Sequence, residues 1–349
     1  MDRLKLIKPT DKKWSELSHK KWSSVAKPLG SLGEFEKMIE KIAAIRQTPD
    51  VDISNRMVVV MCADNGVTAE GVTQTDNEVT AVCAEAIGRG TSNINVLADI
   101  YGAGVLAVDI GIARDTDCAS VLNRKVRYGT GNIAKGPAMS RDEAVKAIVT
   151  GMDIVGELAA SGTDIIITGE MGIGNTTTSA AVSSVLLRIP PEVVTGRGAG
   201  LSDEGLIRKV NTVRHAIEVN RPDMNDAVDV ISKVGGLDIA GMTGLFLGGA
   251  VYGIPVIIDG VISAAAAVLA YKLAPACRDY MLPSHISDEP AGKLLLDMLG
   301  LRAPICAGMR LGEGTGGVML LPLLDGVRSV YNGSHRFEDI GIERYVEQN

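Results

Sequence analysis

Asp164-Ile165-Ile166-Ile167-Thr168-Gly169-Glu170-Met171-Gly172-Ile173-Gly174-Asn175-Thr176-Thr177-Thr178-Ser179 runs from a short β-branched stretch, through three glycines, into an Ala/Val-rich stretch of helical length. Asp164–Thr168 is apolar on successive residues rather than alternate ones, as expected of a strand buried on both faces. The glycines let the backbone turn and approach a ligand closely, and the unpaired N–H groups at a helix start favour an anion there. The register G-x-x-x-x-G-x-T mimics a P-loop, but Asn175 stands where the phosphate-binding lysine belongs, which argues against nucleoside triphosphate hydrolysis. A monophosphate cradle and a plain tight turn both fit these residues. Glu170 would repel a phosphate, so in the first case it faces another part of the ligand: a ribose hydroxyl or a developing positive charge.

The same alternation extends outward in both directions. Met57–Met61, Val105–Ile110 and Val256–Ile258 read as further buried strands. Between them, Glu34–Arg46 sets Phe35, Met38, Ile39, Ile42 and Ile45 on one helical stripe. Ser140 and Glu143 form a capping box that opens a helix over Arg141–Leu158, and another helix covers Asp203–Asn220. Strands alternating with helices predict an α/β fold: a mostly parallel sheet with helices on both faces and ligands beyond the carboxyl ends of the strands. Residues 28–330 make up this catalytic domain. Residues 1–27, Lys-rich with Trp14 and Trp22, and the polar residues 331–349 are expected to pack together as a small helical subdomain beside it.

Composition agrees. Of 349 residues, 46% are hydrophobic and 40 are glycine, yet only three are Phe and two Trp, so Val, Ile, Leu, Ala and Met must fill the core. The net charge of −7 gives no general attraction to nucleic acid, although local backbone N–H groups can still hold an anionic small molecule. Five scattered cysteines without a C-x-x-C fit reduced thiols in the cytoplasm. The charged N-terminus lacks the apolar core of a signal peptide. Val256–Ala270, the most apolar stretch, is too short to span a bilayer and reads as a strand followed by a core helix. The four histidines are isolated, without metal-ligand spacing, and neither metal nor cofactor is expected.

Other strand ends carry further candidates. Ala63-Asp64-Asn65-Gly66 follows the first strand, where an Asx turn is the ordinary reading. Thr195-Gly196-Arg197-Gly198 is a second glycine-rich loop, ahead of Lys209 on a helix that also has a solvated face to offer it. The fourth strand ends at Asp259-Gly260. In Arg310-Leu311-Gly312-Glu313-Gly314, a carboxylate sits among glycines beside apolar Leu311. It is either a solvated turn residue or a desolvated, strengthened general base. From the residues alone the chain is an α/β enzyme for a small phosphorylated ligand, with acid–base carboxylates and no metal.

Taken in order, several segments resemble the nicotinate-nucleotide–dimethylbenzimidazole phosphoribosyltransferases, over about residues 25 to 330. They are Lys27-Pro28-Leu29-Gly30-Ser31-Leu32-Gly33, Ala63–Gly66 with Ala69-Glu70-Gly71-Val72, Gly129–Ala134 with Gly136–Met139, and Gly169–Thr177. Gly196–Gly198, Asp259-Gly260, Ser284-His285 with Ser287 and Glu289-Pro290, and Leu311–Gly316 complete the set. The resemblance implies a Rossmann-like sheet, a small subdomain from both chain ends, and a homodimer. It implies nicotinate mononucleotide as donor, with nicotinate displaced by a base under inversion at the anomeric carbon. Glu313 would be the general base, and Glu170 would contact the ribose or support its charge. The donor would lie on Gly172, Gly174, Asn175, Thr176, Gly196, Arg197 and Gly198, with Lys209, Asp259 and Ser287. Asp64, Asn65, Asn77, Met171 and Leu311 would face the acceptor. The family commonly has His where Asn65 stands and Gln where Asn77 stands, so a phenolic acceptor in a heterodimer with a paralogue is the alternative to a benzimidazole. A non-catalytic nucleotide-binding paralogue is a further one, which the presence of both glutamates disfavours.

Overall fold

The computed structural model describes residues 1–346; the last three residues of the segment 331–349 lie outside them. Six strands form one sheet: β1 (Arg56–Ala63), β2 (Ala103–Gly111), β3 (Leu122–Asn123), β4 (Ile165–Met171), β5 (Val256–Ile258) and β6 (Met281–Pro283). Their order is β3-β2-β1-β4-β5-β6, and every neighbouring pair is parallel. The chain therefore starts in the middle of the sheet, builds one half and then crosses to build the other. The β1/β4 boundary is the switch point beyond which such sheets bind ligands. This is the Rossmann-like α/β arrangement expected from the sequence.

Thirteen α-helices surround the sheet among the described residues. In chain order they are α1 (Lys12–Ser24), α2 (Glu34–Arg46), α3 (Glu78–Gly88), α4 (Asn93–Ile100), α5 (Arg141–Ala160), α6 (Asn175–Leu187) and α7 (Pro191–Val194). Then follow α8 (Asp203–Asn220), α9 (Ala227–Val234), α10 (Leu237–Tyr252), α11 (Val261–Leu273), α12 (Ala291–Leu299) and α13 (Thr315–Gly333). Successive strand residues point to opposite faces, so each strand feeds two cores. Val59 and Met61 of β1 and Ile166 of β4 join the core built with α5, α6 and α10. Val58, Val60, Ile165 and Ile167 join the other, built with α2, α3 and α13. Burial on both sides is why these strands read as unbroken apolar runs.

Three differences from the sequence reading have plain causes. The strand read as Asp164–Thr168 continues to Met171, because β1 goes on pairing with it through Met61↔Glu170 and Cys62↔Met171. Strands β3 and β6 span only two and three residues, Leu122–Asn123 and Met281–Pro283, and unlike Val256–Ile258 neither is a β-branched run. Helix α5 opens on the expected capping box and runs past Leu158 to Ala160.

The chain ends meet beside the sheet. Val25 bridges Arg336, the Ala26 N–H donates to the His335 carbonyl at 2.9 Å, and the Phe337 N–H donates to that of Ser24 at 3.1 Å. The Trp22 and Tyr331 rings lie 4.8 Å apart, both buried in the core that includes Val58 and Ile167. No described helix is long and apolar enough to cross a membrane.

Candidate active site

Beyond the carboxyl ends of β4, β5 and β6 the chain encloses a cleft of about 310 Å³. Glu170 and Met171 reach it from the end of β4, Asp259 from the end of β5, and Ser287 from the segment after β6. Gly172, Asn175 and Thr176 line it at the start of α6, Gly198 from the second glycine loop, and Leu311 and Glu313 from the turn before α13. Residues from 170 to 313 thus converge because the strand ends and the loops that follow them lie on one rim of a parallel sheet.

Glu313 occupies a tight turn. Gly312, Glu313 and Gly314 have φ of 90°, 59° and 90°, three left-handed residues in succession. For the glycines this is free of strain, whereas a glutamate there costs on the order of 1 kcal/mol. The turn crosses closely over β4: a methyl on Gly169 would stand 2.6 Å from the Glu313 carbonyl oxygen. The Glu313 carboxylate accepts one long hydrogen bond, from the Ile94 N–H at 3.4 Å, and burial raises its proton affinity above that of a free glutamate.

Asp259 holds that turn in place. Its fully buried carboxylate accepts the N–H groups of Gly314, Gly316 and Gly317 at 3.2, 2.7 and 3.1 Å. The α13 N-terminus, otherwise an anion site, is therefore filled from within the protein. Burial pushes the Asp259 carboxyl up to about 7, while the three N–H donors pull the other way.

Glu170 is a strand residue, not a loop residue. Burial raises its carboxyl well above the ordinary range, and the neighbouring Asp238, Asp259 and Glu313 charges add to this; the Asn175 amide opposes it. Asn175 Nδ2 donates both to Glu170 and to Asp238, the latter at 3.0 Å. The residue that replaces the P-loop lysine is thus a carboxylate holder.

At the other end, Lys209 is fully buried and donates to Thr176 Oγ1 at 2.8 Å, within reach of Gly198. Burial pushes its ammonium down to about 8, opposed by Glu289. The Gly198 N–H is already taken by Glu289 Oε1 at 2.9 Å, and Gly196 packs on the same carboxylate. The Arg197 guanidinium turns away to the Leu201 carbonyl and Asp203. Gly174 and Arg197 line a neighbouring recess of about 90 Å³, which shares Gly172, Asn175 and Thr176 with the cleft.

Three expected positions lie elsewhere. Asp64 is buried, with Oδ2 accepting the Ala113 N–H at 2.7 Å. Asn65 is buried beneath the Gly172–Gly174 loop and donates to the Ile173 carbonyl at 3.4 Å. Asn77 precedes α3, its Oδ1 buried without a partner. The glycine loop passes over Asn65, and none of the three residues lines the cleft. Sequence reasoning had not singled out Asp238, Glu289, Cys83, Asn93 or Arg310 as site residues. Of these, only Glu289 carried a signal, its place in a matching motif. His285 also lines the cleft, with burial lowering its proton affinity and Nδ1 lying 3.0 Å from Ser284 Oγ. Among the described residues no group of three His, Cys, Asp or Glu side chains is placed to hold a metal ion.

Comparison with known proteins now bears on this geometry. A phosphoribosyltransferase family model (DBI_PRT) matches residues 7–342. A nicotinate-nucleotide–dimethylbenzimidazole phosphoribosyltransferase from Acetivibrio thermocellus is 46% identical over 345 residues, covering 99% of this chain and 98% of its own. The enzyme of that name from Ruminiclostridium cellulolyticum is 44% identical over 339 residues, covering 97% and 96%. Among solved structures, CobT from Thermus thermophilus superposes with a TM-score of 0.90 at 36% identity, covering 95% of this chain and all of that one. With fold, cleft and nearly full-length similarity in agreement, the chain belongs to the phosphoribosyltransferase family of which these enzymes are members.

Proposed function

We propose that the chain transfers ribose 5-phosphate from nicotinate mononucleotide to a benzimidazole-type base, the lower ligand of a cobamide, releasing nicotinate and forming an α-ribotide. The observation that carries this reading is a single cleft with two carboxylates of raised proton affinity, Glu170 and Glu313, and a buried lysine beside a helix N-terminus. The relatives' names supply the substrates.

In this reading the donor phosphate lies at the start of α6 on the N–H groups of Gly174 and Thr176, since those of Ile173 and Asn175 already donate to Thr80 and Gly172, with Lys209 and Ser287 beside it. The ribose lies against Glu170, and the acceptor ring between Met171 and Leu311. The bond from C1′ to the pyridinium nitrogen breaks, and its electron pair leaves with nicotinate, whose ring departs neutral. One ring nitrogen of the acceptor attacks C1′ from the opposite face with its lone pair, which gives the α configuration. The proton on the acceptor's other ring nitrogen passes to Glu313. Glu170, ionised once the cationic donor is seated, stabilises the oxocarbenium-like transition state. Asp259 acts indirectly, by fixing the turn that carries the base.

We further assign the chain to the cytoplasm and to a homodimer. Exposed Val96 and Ile100 of α4 and Leu323 of α13 supply apolar surface for an interface, and sedimentation reads the assembly state. The reaction is tested by incubating the protein with nicotinate mononucleotide and a panel of benzimidazoles, purines and phenols, with mass detection of products. Nicotinate should appear only when an acceptor is present, together with a benzimidazole ribotide. A phenol ribotide alone would reassign the acceptor, and no release with any acceptor would end the reading.

A further inference from the structure

Asn175 serves two carboxylates with one amide group, donating to Glu170 in the cleft and to Asp238 Oδ2 behind it. Asp238 is fully buried in the first turn of α10, where its Oδ1 accepts the Ile239 N–H at 2.9 Å. The carboxylate sits between two glycines: a methyl on Gly236 would collide first with Asp238 Oδ1, and one on Gly172 would meet the Ala63 carbonyl first and Asp238 Oδ2 at 2.9 Å. At Gly236 it is therefore Asp238 that leaves no space for a side chain.

We propose that Asp238 is a positioning residue for the transfer reaction: by accepting the Asn175 amide it fixes that amide on the Glu170 carboxylate, so that the three side chains act as one unit at the cleft. This rests on the donor chemistry proposed above. The charged groups facing Glu170 are Asp238 of α10, Asp259 at the end of β5 and Glu313 ahead of α13, all carboxylates, with the Cys62 thiol of β1 also near. Surrounded in this way, Glu170 has its proton affinity raised, which weakens its repulsion of the donor's phosphate on entry. The pyridinium ring then brings a positive charge that favours the ionised form, and the proton leaves to solvent.

Two substitutions move the acid limb of kcat/KM for the donor in opposite directions. Burial pushes the Asp238 carboxyl itself up to about 6, so it is a negative neighbour above that pH; Asp238→Asn removes it, and the limb shifts to lower pH. Asn175→Ala removes the donor that favours the ionised form, so the limb shifts to higher pH. Thr243→Val serves as the control on the same helix; it removes a buried hydroxyl bonded to the Ile239 and Ala266 carbonyls and leaves the limb in place. If all three variants only lower the melting temperature with the limb fixed, Asp238 is merely structural and the proposal falls. The same shifts are read without turnover from the infrared carboxyl band that Glu170→Gln deletes, titrated in each variant. Opposite shifts of that band in a protein that transfers nothing would uphold the linkage and remove the assigned reaction. A band that stays still overturns the linkage whatever the activity.

Discussion

A glutamate that takes a proton from an incoming base must be ionised when the base arrives, yet burial raises the proton affinity of Glu313. One environment therefore makes the base stronger and narrows the pH range in which it is available. At saturating donor, where Glu170 is already ionised, kcat should fall as pH drops through that raised value, about tenfold per unit, starting higher than for a free glutamate. Glu313→Gln should lower kcat by about 10² to 10⁴ while calorimetry still finds donor binding. Near-normal turnover in that variant would remove the role. Lys209 carries the opposite sign. Its ammonium, pushed down to about 8 by burial, loses its charge as pH rises through that value. The donor KM should therefore climb above pH 8, and Lys209→Met should give a high, pH-flat KM there. A KM that is flat across that range in the unaltered protein would show that this lysine does not hold the phosphate.

At the scale of elements, the reaction depends on how α13 begins. Asp259 satisfies three N–H groups that would otherwise be buried without partners. Asp259→Ala should destabilise the protein by at least about 2 kcal/mol, since each orphaned buried donor costs about 1–3. It should also loosen the Glu313 turn, so that kcat falls in the protein that remains folded. Unchanged chemical denaturation together with unchanged kcat would contradict both. This scale also shows what could be read from sequence. Helices α2 and α8 match their expected bounds because stripes and caps are local signals. The end of β4 was not legible, since Gly169-Glu170-Met171 looks like a turn until β1 is there to pair with it. Glu170 and Glu313 stood out as acids among glycines. Asp238 and Glu289 did not, because their partners Asn175 and Gly198 lie 63 and 91 residues away along the chain. The same holds for Asn65: its sequence neighbours suggest a surface turn, and only the loop that folds over it takes it out of the cleft.

For the molecule as a whole, the question is whether the joined ends unfold by themselves. Trp22 is 2% exposed and packs on Tyr331, yet both belong to the core that holds Val58, Val60, Ile165 and Ile167 of the central strands. A core shared in this way transmits a defect at the ends directly to the strands that carry Glu170. Trp22→Ala should therefore cost about 3–5 kcal/mol, the range for truncating a large buried aromatic. Far-UV circular dichroism and loss of activity should then follow one transition, displaced to lower temperature. An early fluorescence or proteolysis transition, with catalysis still intact, would instead show that the ends form a unit of their own. The sequence could suggest that residues 1–27 and 331–349 meet, from the tryptophans on one side and the polar run on the other. It could not show that Trp22 and Tyr331 join the core under one face of the sheet while Met1, Leu4 and Ile7 pack against the other, because that depends on which face of β1 and β4 each alternate residue takes. The melting experiment thus asks of the intact molecule what pattern reading along the chain cannot: whether one cooperative core supports both the closure of the ends and the catalytic rim.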